Sequence, residues 1–248
     1  MGHLHGEVVL GRGLTRRTTG GRWQGPANTP SDRHRPCPRA AGPPYAAVMT
    51  DEHLIETTLQ RRVLHRGRFI TFRIDTIEDA DGGQHTREVV EHPGAVCVIP
   101  LHGEDVLMVR QYRTPVGQIV LELPAGTLDR LPDGSIEPPE LAAPRELGEE
   151  TGYRARSWRS LGRFWSAPGF TDELMHLYLA TDLRPIEDYS GPDVDERLEV
   201  ERIPWRDAVA MAESGEIRDA KTLVGLLRLA RLGDAGELVT GTSPAASP

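Results

Sequence analysis

The order of strand and helix signals in this chain predicts an α/β fold: an α/β/α sandwich around a mixed sheet, preceded by N-terminal antiparallel strands. Strand-like segments occur on both sides of one central helix at residues 139–151. Two further helical segments follow near the C-terminus, and the sequence contains no internal repeats. This order indicates layers packed on one sheet rather than a doubly wound fold.

The strands are predicted from runs of apolar, β-branched and aromatic residues that are bounded by turn residues. Before the central helix these runs occupy residues 59–64, 69–77, 86–91, 95–101, 105–112 and 119–123. After it they occupy residues 158–165, 174–180 and 196–202. An Asp-Gly-Gly turn at 81–83 and a polar hairpin loop at 102–105 separate neighbouring strands.

The two C-terminal helices are predicted from their boundaries and spacing. Residues 205–214 follow Pro204 and end before Gly215, and both are typical helix boundary residues. Leucines at helical spacing across residues 220–232 predict a last amphipathic helix.

Residues 1–48 differ in composition from the rest of the 248-residue chain. They are rich in Gly and Pro, and seven Arg against two acidic residues give them a net charge of +5. The whole chain carries −8, so the remainder carries −13. We predict a disordered leader at 1–48, with a basic binding tail as the alternative and Met49 as a candidate true start. The remainder divides into N-terminal strands at 49–93 (a possible dimerisation subdomain), a main domain at 94–233 and a disordered tail at 234–248.

Composition and charge exclude several classes of protein. No apolar run approaches the length that crosses a bilayer, so we expect no membrane partner. The acidic body argues against nucleic-acid binding. The N-terminus lacks the apolar core of a secretory signal, and the two cysteines form no disulfide framework. We therefore expect a cytoplasmic protein in which Cys97 is a buried, inert thiol.

The central helix carries a dense group of carboxylates. Glu146, Glu149 and Glu150 fall on one flank, because residues three and four apart are neighbours on a helix. Like charges that close repel one another unless a cation lies among them. Hard oxygen ligands suit Mg²⁺ or Mn²⁺, so the helix predicts a divalent-metal site. The alternative is a solvated charged face.

Five segments together resemble a known family. Glu137, seven further residues and Arg-Glu-Leu-Gly-Glu-Glu-Thr-Gly-Tyr at 145–153 resemble the signature of the Nudix hydrolases. Arg-Gln-Tyr-Arg at 110–113 and Glu-Leu-Pro-Ala-Gly at 122–126 resemble the ADP-ribose pyrophosphatase branch, as do residues 166–173 and 195–200. The likeness covers residues 55–232 and implies a Nudix-type sandwich at 94–233. Several motifs in the right order are more specific than any one of them.

The resemblance implies a role for each acidic residue. Glu146 and Glu150 match the family's main metal ligands, with Glu149 beside them and the backbone carbonyl of Ala125 adding another oxygen. Arg145 is expected to pair with Glu149 one turn on rather than to touch substrate. Divalent ions neutralise a diphosphate and lower the pKa of water, so the cofactor implied is Mg²⁺ or Mn²⁺.

The sequence departs from the family signature in two places. Ten residues instead of five separate Gly126 from Glu137, so we expect an outward loop at 129–136 that Glu137 serves only locally. Pro144 lacks a backbone N–H and would clash inside an established helix. We therefore expect the regular helix to start near Ala142 or Ala143, where Pro144 falls in the first turn.

Other residues have a chemical case for binding substrate. Arg87 and Arg113 could hold the diphosphate, since guanidinium pairs well with phosphate oxygens, whereas Arg110 lies on the opposite face of its strand and favours a surface ion pair. The resemblance implies Glu196 as general base, with Asp195 and Glu199 as competitors. It also implies that Glu173 binds the ribose or a metal-held water and that Phe69 stacks on adenine. Core packing or surface solubility is the alternative for each.

These residues predict a Nudix hydrolase that cleaves ADP-ribose to AMP and ribose 5-phosphate, with Glu146, Glu150 and Glu196 as catalytic groups. The family resemblance also implies a homodimer formed through the N-terminal strands. One alternative is hydrolysis of another nucleoside diphosphate substrate, such as a nucleotide sugar, a dinucleoside polyphosphate or NADH. The second alternative is a non-catalytic nucleotide-binding module.

Overall fold

Two sheets, three α-helices and one turn of 3-10 helix make up the part of the chain that the computed structural model describes. The described residues are 51–189, 191 and 197–238. The predicted leader at 1–48, Glu196 and residues 239–248 of the predicted tail lie outside them.

The N-terminal strands form a separate antiparallel sheet, as predicted. Its strands are β1 (Thr57–Arg66), β2 (Thr71–Glu78) and β3 (Gln84–Glu91), in the order β1-β2-β3. The Asp-Gly-Gly turn joins β2 to β3, where the Asp79 carboxylate accepts hydrogen bonds from the backbone N–H groups of Asp81 and Gly83. This Asx-type turn fixes the register of the hairpin.

The second sheet is mixed and contains seven strands. They are β4 (Ala95–His102), β5 (Asp105–Arg113), β6 (Gln118–Glu122), β7 (Ala125–Thr127), β8 (Tyr153–Trp165), β9 (Leu174–Pro185) and β10 (Leu198–Pro204). The main order is β10-β5-β4-β9-β8, with β6 on β5 and β7 on β4. Strands β4 and β9 are parallel and the other pairs are antiparallel.

Helices cover both faces of this mixed sheet and confirm the predicted sandwich. They are α1 (Pro139–Thr151), α2 (Trp205–Ser214) and α3 (Ala220–Asp234). Successive side chains of a strand point to opposite faces. On β4, Val96 and Val98 therefore pack with α1, while Cys97 and Ile99 pack with α2 and α3. Burial raises the pKa of the Cys97 thiol to about 12, in agreement with an inert thiol.

Helix α1 has the predicted bounds, 139–151, but its regular part starts earlier than Pro144 led us to expect. It begins at Pro139, so Pro144 lies inside the helix instead of in its first turn. Ala142 and Ala143 are fully buried against the sheet, and this packing holds the N-terminal turn in place. Pro144 itself is exposed, so the backbone carbonyl that loses its intrahelical partner lies on the solvent side.

The C-terminal helix is longer than predicted. Helix α3 runs to Asp234 instead of residue 232. Beyond it, Glu237 accepts a hydrogen bond from Arg159 at 2.7 Å and Leu238 packs against the core. Residues 234–238 of the predicted tail are therefore part of the described fold. No helix within the described ranges is both long and apolar enough to span a bilayer.

Close packing of α3 on the sheet gives a first prediction. Gly225 is buried, and a Cβ atom there would overlap the Cδ1 methyl of Leu123, which is itself fully buried. We expect Gly225→Ala to lower the free energy of unfolding by about 1–2 kcal/mol, since overpacking outweighs the better helix propensity of alanine. Chemical denaturation measures this change.

The matched control is Gly148→Ala in α1. A Cβ there would meet Ile186 Cδ1 at 3.5 Å, which is ordinary contact. We expect this variant to be neutral or stabilised by up to about 1 kcal/mol. Equal stability of the two variants would contradict the close approach of α3 to Leu123.

Candidate active site

The site begins where β4 and β5 separate. These neighbours share only the pairs Leu101–Val106 and His102–Asp105 next to their hairpin. Strand β10 occupies the outer edge of β5, and β9 occupies the outer edge of β4. On the edges of β5 and β4 that face each other, β6 pairs with β5 and β7 pairs with β4. The Pro-Ala-Gly turn therefore lies in the gap between two core strands.

The backbone of Ala125 points away from β4. Val98 N–H donates to Pro124 O at 2.9 Å, and Leu128 N–H donates to Gly94 O at 3.0 Å. Hydrogen-bonded and non-hydrogen-bonded pairs alternate in an antiparallel ladder, so the intervening Cys97–Ala125 pair is not hydrogen-bonded. The N–H and C=O of Ala125 thus face the opposite side of β7, where the N–H donates to Glu150 Oε2 at 2.9 Å.

Two carboxylates of α1 are buried against this turn. Glu150 is 2% exposed and Glu146 is 8% exposed. A Cβ atom on Gly126 would overlap the carboxyl group of Glu146, so only a glycine leaves room for that side chain. Helix α1 thus brings two carboxylates of the acidic cluster to the turn that carries the Ala125 carbonyl.

Arg145 holds the acidic cluster together. Its Nη1 lies 2.8 Å from Glu146 Oε1 and 2.9 Å from Glu149 Oε2, so the predicted pairing with Glu149 is present. Its Nη2 lies 2.7 Å from Glu137 Oε2 and donates to Thr127 O at 3.4 Å. The hydrogen bonds to Glu137, and then the charges of Glu146 and Glu149, raise the pKa of Arg145 far above its ordinary value. One fixed cation therefore offsets the repulsion among the carboxylates.

Glu137 does more than the sequence predicts. Its backbone N–H donates to Asp129 O at 2.8 Å, which closes the inserted loop, and that loop is exposed as expected. Its side chain is buried on Arg145. The hydrogen bond from Arg145 lowers the pKa of Glu137 below its ordinary value. The loop and the acidic helix are thereby joined through one ion pair.

The donor set fits a hard divalent cation. Glu146, Glu149, Glu150 and the Ala125 carbonyl supply only oxygen atoms, which Mg²⁺ and Mn²⁺ prefer. In the described part of the chain, no three acidic, histidine or cysteine side chains already stand in a metal-holding geometry. Arg145 Nη1 contacts both Glu146 and Glu149. Those two carboxylates would have to turn from Arg145 towards an entering cation.

Arg113 lies on the same face of the sheet as α1. Leu107 of β5 packs with α1, so Arg113, six residues on, faces the same way. Its paired strand β6 places Glu122 on that face too. Arg113 Nε and Nη2 each donate to Glu122 at 2.8 Å, in a bidentate pair.

A cavity of about 550 Å³ opens beside Arg113. Polar side chains of Arg113, Glu122 and Lys221 contribute to its lining together with the apolar side chains of Val116, Ile119 and Leu121. An apolar wall with a few placed charges is typical of small-molecule sites. Residues 122–125 join the two regions along the chain, because Glu122 lines the cavity and Ala125 contacts Glu150 of the acidic cluster.

Two other predicted residues have partners elsewhere. Arg87, on β3, is exposed and forms an ion pair with Glu56. Glu173 Oε1 lies 3.6 Å from His92 Nε2, in a loop that also binds the end of β3 through the Val90 N–H to Phe170 O hydrogen bond. The substrate-binding roles of Arg87 and Glu173 remain predictions.

Phe69 lies outside the strand in which it was expected. Strand β2 starts at Thr71, and Gly67 N–H donates to Ile70 O in the β1–β2 connection. This turn leaves Phe69 exposed, with the Arg68 guanidinium 4.7 Å from its ring centroid. Arg110 pairs with Glu201 at 3.1 Å on the surface, as predicted. Glu196 lies outside the described residues.

Two site residues were not singled out from the sequence. Glu122 belongs to the Glu-Leu-Pro-Ala-Gly motif, and Lys221 lies in the first turn of α3. Glu122 is 2% exposed and pairs with both Arg113 and Lys221. A signal was available for Lys221, because it is the only lysine in the sequence.

Comparison with known proteins identifies the family of this chain. The family model described as the NUDIX domain matches residues 91–224. An ADP-ribose pyrophosphatase of Bacillus subtilis (strain 168) is 38% identical over 170 residues, which cover 68% of this chain and 89% of the relative. An ADP-ribose pyrophosphatase of Mycobacterium tuberculosis (strain ATCC 25618 / H37Rv) is 38% identical over 177 residues, covering 71% and 83%.

A solved structure shares the fold. It is described as the crystal structure of ADP compounds hydrolase, with a TM-score of 0.62, and the likeness covers 74% of this chain and 97% of that one. At 24% identity it bears on the fold alone. The family match spans more than half of the sequence, and the relatives match over most of their own length. This chain therefore belongs to the Nudix hydrolase family.

Proposed function

We propose that this protein hydrolyses the diphosphate of ADP-ribose to AMP and ribose 5-phosphate with the aid of Mg²⁺ or Mn²⁺. The observation that carries the proposal is the meeting of the buried Glu146 and Glu150 with the Pro-Ala-Gly turn. The substrate is suggested by the two ADP-ribose pyrophosphatases to which the chain is similar.

The residues of the site have two kinds of role in this proposal, metal binding and orientation of the substrate. Glu146, Glu149, Glu150 and the Ala125 carbonyl would hold the metal, which when bound supplies charge neutralisation of the diphosphate and activation of water. Arg145 keeps the carboxylates together when no metal is bound. Arg113 pairs with Glu122 through Nε and Nη2, and not through Nη1. We assign the N–H groups of Nη1 to a hydrogen bond with a phosphate oxygen of the substrate.

The remaining roles belong to the same proposal. Glu196 would accept a proton from the attacking water, while Arg87 and Glu173 would hold the phosphate and ribose. Phe69 would stack on the adenine, since its exposed ring is available for such contact. We place the reaction in the cytoplasm, where a free thiol such as Cys97 stays reduced.

We infer that the protein forms a homodimer through its N-terminal sheet. Strand β1 pairs only with β2 among the described strands, and every residue of β1 is exposed. Leu59 and Leu64 are 48% and 46% exposed. An edge strand with exposed apolar side chains favours association with a second copy. Analytical ultracentrifugation tests this inference, and a monomer at micromolar concentration would contradict it.

Product analysis tests the proposed reaction. We expect purified protein with Mg²⁺ to release AMP and ribose 5-phosphate from ADP-ribose, and EDTA to abolish the release because the carboxylates alone cannot neutralise the diphosphate. Chromatography of the products measures both outcomes. Manganese in place of magnesium tests the choice of metal.

A substrate series separates the alternatives. We expect kcat/KM for ADP-ribose to exceed that for GDP-mannose, NADH and diadenosine polyphosphates by at least about tenfold. A higher kcat/KM for one of these compounds would identify that compound, and not ADP-ribose, as the preferred substrate. Binding of ADP-ribose without release of AMP would contradict hydrolysis and favour a nucleotide-binding module.

A further inference from the structure

Lys221 is unusual in its type and in its place. It is the only lysine among 29 lysine and arginine residues. Its side chain is 15% exposed, in the first turn of α3. All the other basic side chains of this count are guanidinium groups, so an ammonium group occurs only beside the cavity.

The Lys221 ammonium lies between two carboxylates. It forms an ion pair with Glu122 Oε2 and lies 3.0 Å from Asp219 Oδ2. Burial alone would lower the pKa of Lys221, but the charges of Asp219 and Glu122 raise it above its ordinary value. The group therefore remains charged and is not a nucleophile.

Glu122 links Lys221 to Arg113. Both of its oxygens accept hydrogen bonds from the Arg113 fork, and Oε2 also receives Lys221. Burial would raise the pKa of Glu122, but the hydrogen bonds from Arg113 and the charge of Lys221 outweigh it and lower the pKa. Oε2 of Glu122 already accepts a hydrogen bond from the planar guanidinium of Arg113. A compact ammonium group can still approach this oxygen, whereas a second guanidinium group would do so less easily.

The start of α3 is anchored to the same strand. Asp219 caps the helix by accepting hydrogen bonds from the N–H and hydroxyl of Thr222. The Thr222 hydroxyl in turn accepts from Leu123 N–H at 2.8 Å. Lys221 is therefore carried by a turn that is fixed to the residue following Glu122.

We propose that Lys221 is a positioning residue that acts through Glu122 to direct Arg113 towards the substrate diphosphate, an inference that rests on the proposed function. With Lys221 present, Glu122 is shared between two cations. Without it, the buried Glu122 charge would be balanced by Arg113 alone. The Arg113 guanidinium would then move towards Glu122 and the sheet, and its Nη1 would no longer point towards the substrate phosphate.

Kinetics and binding of Lys221→Met test the proposal. We expect KM for ADP-ribose to rise about tenfold, because a charge-assisted hydrogen bond to phosphate is misdirected, while kcat changes less than about threefold. The Kd of a non-hydrolysable α,β-methylene analogue, measured by calorimetry, should rise to the same extent. Lys221→Arg keeps the charge but approaches Glu122 less easily, so it should recover only part of the affinity.

Two comparisons separate positioning from general effects. In the double variant with Arg113→Met, KM should be no higher than in Arg113→Met alone, because Lys221 acts only through Arg113. Arg231→Met removes an exposed cation on the same helix, which does not line the cavity and pairs with neither Glu122 nor Asp219 among the described residues. Its KM should change less than about twofold.

Several outcomes would overturn the proposal. They are an unchanged KM in Lys221→Met, an equal rise in Arg231→Met, or additive effects with Arg113→Met. A purely structural lysine would lower the melting temperature and leave KM alone. If Lys221→Met does not fold, Lys221→Gln provides the same comparison. Wild-type protein that neither hydrolyses ADP-ribose nor binds its analogue would overturn the proposed function, whereas an active wild type with an unaffected Lys221→Met would overturn only this role.

Discussion

Replacement of Glu150 by Gln is expected to lower kcat for ADP-ribose by about 10³-fold, with the fold retained. Glu150 is nearly fully buried, and its Oε2 accepts the Ala125 N–H. Glutamine has the same shape, and its amide oxygen can accept that hydrogen bond, so packing is preserved. What is lost is the negative charge beside the Ala125 carbonyl, and with it the attraction for a divalent cation.

Steady-state kinetics across a Mg²⁺ titration measure this effect. We expect the concentration of Mg²⁺ for half-maximal activity to rise together with the loss of kcat, and the melting temperature to move little. The matched variant is Glu149→Gln, whose side chain is 39% exposed and pairs with Arg145. It should lose only about tenfold in kcat, as expected for a supporting position. Activity of Glu150→Gln within threefold of wild type would contradict a metal site at α1.

The acidic site was predictable wherever its geometry is local. The pairing of Arg145 with Glu149 follows from helical spacing alone and is present in the structure. The approach of the Pro-Ala-Gly turn to α1 came from the family resemblance, since no spacing rule joins residues 125 and 150. The partnership of Glu137 with Arg145 escaped prediction, because it depends on how the inserted loop closes through Asp129.

Two errors in the sequence interpretation have physical causes. Proline propensity placed the start of the regular part of α1 late, but packing of Ala142 and Ala143 against the sheet outweighs the hydrogen bond lost at Pro144. Phe69 was assigned to a strand because aromatic residues favour strands. The Gly67 to Ile70 hydrogen bond makes a turn there instead.

Long-range ion pairs leave almost no trace in a sequence. Glu122 and Lys221 are 99 residues apart, and neither position has a local pattern that points to the other. Burial reveals the connection, since a carboxylate that is 2% exposed needs counter-charges. Composition alone distinguishes Lys221, because it is the single lysine in an arginine-rich sequence.

Gly126→Ala is expected to lower kcat/KM for ADP-ribose by about 100-fold with little change in stability. The backbone of Gly126 is not among the positive-φ positions, so alanine is compatible with the main chain. The new methyl group would occupy the position of the Glu146 carboxyl group. Because that carboxyl is the end of a flexible side chain, it can turn away at a cost within about 1 kcal/mol.

The loss should come from displacement of one carboxylate of the proposed metal site, since an error of about 1 Å in a catalytic group can cost about 100-fold in rate. Kinetics and thermal melting of the same preparations separate the two quantities. Gly169→Ala is the control, because a Cβ there meets no atom within 4 Å. The double variant with Glu146→Gln should be no less active than Glu146→Gln alone, as both changes remove the same contact. Full activity in Gly126→Ala would mean that Glu146 does not need the space beside the turn, and additive losses would mean that the glycine acts through another residue.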